Sequence, residues 1–154
     1  MSLSKSPSTL ITAGNTNNIL GSFTLTSNKI TGASLAADNS TITLPAGTYI
    51  IRYSVDASNS NTNNGTANTQ YAGQNLTCTR SYLINAATSA TITEVNRMCE
   101  MSNSFTFYQG SFYLTLPATT TIRQKFEFDT GNGFTFSNLN VRASLSLVIT
   151  RMAQ

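Results

Sequence analysis

Along "GTYIIRYSVDA", residues 47 to 57, apolar side chains recur at every second position: Tyr49, Ile51, Tyr53 and Val55 alternate with Ile50, Arg52, Ser54 and Asp56. Successive side chains of an extended strand point to opposite faces, so this period predicts a strand with one face in a core and the other mainly polar. The pattern returns at Leu145, Leu147 and Ile149, set against Ser144, Ser146, Val148 and Thr150. It returns again at Ile122, Gln124, Phe126 and Phe128, set against Arg123, Lys125, Glu127 and Asp129, a row expected to be a salt-linked surface in water. Further strands are predicted over 19–27, 40–44, 78–85, 90–95 and 104–116, with turn chemistry at 45–47, 85–89, 116–120 and 129–133. Apolar residues at helical spacing never persist, and β-branched Thr runs throughout. Eight or nine strands of this kind predict an all-β, antiparallel two-sheet sandwich.

Composition narrows the picture. A chain of 154 residues with no linker or internal repeat reads as one domain, 15–154, preceded by an arm or edge strand over 1–14 that carries Pro7 and the short apolar run Leu10–Ile11. Only 10% of residues are charged, so Asn, Ser and Thr must do most of the solvating. The net charge of +3 comes from single, scattered cations rather than a run, which argues against nucleic acid as a partner. Neither a secretory apolar core nor a membrane-length apolar stretch is present, so a cytoplasmic origin without a signal peptide and without membrane contact is expected. In a reducing compartment Cys78 and Cys99 are expected as free thiols, although they could pair if their strands are neighbours.

The chain contains no His, which removes the usual general base, the nucleophile triads and the commonest zinc ligand. Glu127 and Asp129 lie two apart on one strand face but share it with Arg123 and Lys125, so a surface ion network explains them better than a carboxylate pair. "DTGNG" at 129–133 lacks the further acids a calcium site wants and reads as a tight turn. No catalytic residue, cofactor or metal is therefore expected, and the chain is not expected to be an enzyme.

The segments "LPAGTYIIRYSVDA", "GSFYLTLPATTTIRQKFEFDTGNG" and "ASLSLVITRM" carry, in order, a glycine–aromatic strand, a GS-x-x-L-x-L strand with the strand that follows it, and a final alternating strand. In this they resemble the family of complement q-type globular heads, tumour necrosis factor-like domains and the carboxyl-terminal domains of bacterial spore-surface filaments. The likeness covers about two thirds of the chain and implies a ten-strand jelly roll that assembles as a homotrimer, one sheet facing the threefold axis. Relatives usually carry a long stalk before the head; here only about eighteen residues precede the first strong strand, and the head is expected to be the whole protein.

On that resemblance Arg52, Ser54, Tyr113, Thr115, Ser144, Ser146 and Val148 are expected at the trimer interface. Tyr113 alternates with Phe112 and Leu114 and so points away from the core, and the small residues allow close approach of three sheets. The charge-free stretch after Asp56 cannot bury enough apolar area to pack as core, so Asn59, Asn61, Asn63, Asn64, Thr66, Asn68 and Tyr71 are expected on a displayed loop. Two functions follow as expectations. One is a structural surface or decoration component of a virus or phage particle, contacting itself and other particle proteins at the virion surface. The other is a trimeric head that binds a host glycan or receptor.

Overall fold

The computed structural model describes residues 1–4, 9–11, 18–20, 22–59, 76–101, 105–128 and 141–153. These form strands and no helix: β1 Ser2–Ser4, β2 Thr9–Ile11, β3 Asn18–Leu20, β4 Thr24–Ser27, β5 Ser34–Leu35, β6 Ile42–Leu44, β7 Gly47–Asn59, β8 Leu76–Asn85, β9 Thr91–Met101, β10 Phe105–Leu116, β11 Thr120–Phe128 and β12 Val141–Arg151. The first sheet runs β10-β7-β12-β1-β4, with β2 alongside the far end of β12. The second runs β5-β6-β11-β8-β9, with β3 alongside the far end of β11. Each sheet is thus five strands wide, every pairing is antiparallel, and the two pack face to face as a jelly-roll sandwich.

Alternation sets the core. Leu3, Tyr49, Ile51, Leu114, Leu116, Leu147 and Ile149 of the first sheet meet Ile42, Leu44, Leu83 and Ile122 of the second, all buried. Phe23, Ile30 and Ala33, from the stretch between β3 and β6, join this core. Tyr53 crosses the gap between the sheets, its hydroxyl donating to the Val95 carbonyl at 3.3 Å, and its ring tilts against Phe112. It can do so because Gly110 stands opposite it in register and leaves the space a side chain would fill.

The segment 19–27 is not one strand. It divides into β3 in the second sheet and β4 in the first, with Ser22 between them at φ 62° and Phe23 turned into the core. At the crossing Phe23 takes a core position between exposed Ser22 and Thr24, and the alternation then stops, since all four residues of β4 are exposed. The amino-terminal residues enter the sheet interior: β1 lies between β12 and β4, Leu3 is buried, and the Met1 amino group donates to the Ile149 carbonyl at 2.9 Å.

Of the charged row expected along β11, Arg123 finds its partner outside the strand, and the Glu127 side chain and Asp129 lie outside the described residues. Arg123 reaches Asp38 in the β5–β6 connection at 2.8 Å, while the Lys125 ammonium lies 5.9 Å from the centre of the Tyr82 ring. Asp38 organises its own turn. One carboxylate oxygen accepts from the N–H groups of Ser40 and Thr41, and the other accepts from the Thr41 hydroxyl and from Arg123. The Thr41 oxygen accepts in turn from Arg123 Nε at 2.6 Å.

Candidate assembly surface

The outward face of the first sheet is built by the residues that alternate with its core positions. On β7 these are Thr48, Ile50, Arg52 and Ser54; on β10, Gln109, Ser111, Tyr113 and Thr115; on β12, Ser146, Val148 and Thr150. Register aligns them in rows across three strands: Ser111, Arg52 and Val148 in one, Tyr113, Ile50 and Thr150 in the next. Ser54 stands opposite both Gln109 and Ser146. The expected positions Arg52, Ser54, Tyr113, Thr115, Ser146 and Val148 are therefore brought onto one face. Ser144 shares the register of that face through its pairing with Asp56, and its side chain lies outside the described residues.

Tyr113 is 73% exposed and Val148 42%, and Met152 just beyond β12 is 40% exposed. Among the described residues the second sheet carries no exposed large apolar side chain. The charge distribution is the reverse. Arg52 is the one charged side chain among the described outward positions of β7, β10 and β12, whereas the outward face of the second sheet carries Arg123, Lys125 and Glu94. Among the described residues one face is thus apolar-tipped with a single charge, the other ionic.

Small residues shape the middle of the uncharged face. Ser54, Ser111 and Ser146 cluster around Gly110 and leave a hollow of about 410 Å³ rimmed by Arg52, Gln109 and Val148. The sequence reading missed Ile50, Gln109 and Ser111 here. Carrying the period of two back from Tyr113 reaches Ser111 and Gln109, and Ile50 was hidden because it is apolar on the polar side of its strand. Asn59 ends β7, where it pairs with Val141. Asn61, Asn63, Asn64, Thr66, Asn68 and Tyr71 lie outside the described residues. Among the described residues no group of three or more His, Cys, Asp or Glu side chains is placed to hold a metal ion.

No protein-family model matches the chain, and no curated protein matches it in sequence. The likeness is at the level of fold. The globular domain of zebrafish complement 1qA protein superposes on 96% of this chain and 94% of its own, with a TM-score of 0.50 and 9% sequence identity. The two share a sandwich architecture built from almost unrelated side chains.

Proposed function

We propose that the chain works by assembly rather than catalysis: a homotrimeric jelly-roll structural module whose first sheet packs about a threefold axis. The observation that carries this reading is the asymmetry between the two outer faces. Among the described residues, Tyr113 and Val148 stand exposed on a first-sheet face whose one charged side chain is Arg52, while Arg123, Lys125 and Glu94 sit on the second. An apolar, charge-poor core within a polar rim is what a permanent interface requires, because aromatic side chains gain from burial there and charges do not. The finer reading is a surface or decoration component of a virus or phage particle, supported by the low charge of the whole chain and by the absence of His, which leaves little for an enzyme to use.

Sedimentation equilibrium on the purified chain tests the assembly, with three times the 16.5 kDa chain mass expected at micromolar concentration. A single-chain mass would refute it. Co-purification of the trimer with particles supports the decoration role. Specific retention of particle-free trimers on a glycan array would instead favour the attachment head.

A further inference from the structure

The ladder between β8 and β9 places Cys78 directly opposite Cys99. Directly opposed residues of antiparallel strands have Cα atoms about 4.5 or 5.5 Å apart, depending on which kind of pair they form. Both separations fall inside the range of about 4.4–6.8 Å that a disulfide spans. The ladder is shifted nearer the hairpin, between Ser81 and Tyr82 and between Leu83 and Ile84, but runs without interruption from Ser81–Asn96 to Leu76–Met101, so the two cysteines sit in its regular part. From this juxtaposition we propose that Cys78 and Cys99 are an oxidisable pair that forms a cross-strand disulfide within the folded chain, pinning β9, the edge strand of the second sheet, to β8.

The neighbouring register supplies a reason for such a link. Arg80 stands directly opposite Arg97, two residues from the cysteines and on the same face of the sheet. Like charges at directly opposed positions weaken strand pairing. A covalent link beside the two arginines holds the edge strand against that repulsion.

With a small-molecule disulfide as oxidant the step balances. One cysteine thiolate attacks a sulfur of the oxidant and releases one equivalent of thiol, leaving a mixed disulfide. The second cysteine loses its proton, attacks the protein sulfur of that mixed disulfide and releases the second equivalent. The two cysteines are oxidised together as the one disulfide is reduced to two thiols.

The test treats the full-length chain with oxidised glutathione under native conditions and reads intact mass and a non-reduced tryptic digest. Cleavage after Arg80 and Arg97 puts the cysteines on separate peptides, so a linked pair of those peptides identifies the bond. The expected product has lost two hydrogens, carries no glutathione and melts several degrees higher than the reduced chain, the difference vanishing on reduction. Cys78→Ser should stop at one glutathione adduct. Two adducts on the unmutated chain, disulfide-linked chain dimers, or an internal bond that forms only in denaturant would each overturn the proposal.

Discussion

At the level of single residues, the described polar contacts gather at one turn. Asp38 is the densest of them: the Thr41 hydroxyl above all, then the N–H groups of Ser40 and Thr41 and the Arg123 guanidinium, hold its carboxyl below the ordinary carboxylate range, against partial desolvation. Its folded-state pKa is thus lower than its unfolded value near 3.8. The stabilisation is fully present above that value and is lost as pH falls through it and on toward the lower folded pKa. Asp38→Ala should lower stability by about 1–2 kcal/mol at neutral pH, as loss of a turn-capping carboxylate does. Urea titrations of parent and variant should converge as the pH is taken below 4, and a gap that stays constant with pH would show that the carboxylate's charge is not what matters. Gly110 makes a second test. A methyl group there would lie within 2.8 Å of the Tyr53 ring and closer still to its hydroxyl. Gly110→Ala should therefore cost about 1–3 kcal/mol by overpacking. Combined with Tyr53→Ala, it should cost clearly less than the sum of the two single changes. Strict additivity in urea denaturation would mean that the ring does not occupy that space.

At the scale of strands, the sequence was most legible where alternation is long and least legible where the chain changes sheets. β7 and β12 could be read directly, because an apolar residue every second position has no other economical explanation than a half-buried strand. The orientation of Tyr113 could be read the same way, from its place between Phe112 and Leu114. β1 could not: three residues with one apolar side chain, Leu3, carry no period. Its place between β12 and β4 comes from long-range pairing alone, Leu3 with Leu147 on one side and Leu25 on the other. The pairing of Arg123 with Asp38 was hidden for the same reason, since 85 residues separate the two in sequence. This gives a prediction for the amino terminus. Leu3→Ala removes a side chain only 3% exposed and should destabilise the domain by about 2–5 kcal/mol. Thermal unfolding that is unchanged by Leu3→Ala would show that residues 1–4 are an appendage, not part of the sheet.

At the scale of the whole molecule, a trimer would remove the first sheet's outward face from water, and an added charge is the sharpest probe of that. Ser146 is half-buried in the middle of the first sheet's outward face, opposite Ser54 and within the hollow that Arg52 rims. A carboxylate introduced there would find Arg52 nearby and be neutralised, so an ammonium is the more decisive change. Ser146→Lys would bring three added positive charges toward one another, and toward three arginines, around a threefold axis. Burial lowers the effective dielectric and strengthens that repulsion, and desolvation of each ammonium opposes assembly further. The single chain should fold as before, because before assembly the lysine can extend into water, and surface substitutions of this kind usually change stability by no more than about 0.5 kcal/mol. The variant should therefore sediment as a monomer with the parent's β-type circular dichroism spectrum. Thr91→Lys, exposed on the second sheet, adds the same charge away from the proposed axis and should leave the trimer intact. If both variants sediment as trimers, the association uses another surface; if both are monomers, net charge rather than the first sheet controls it.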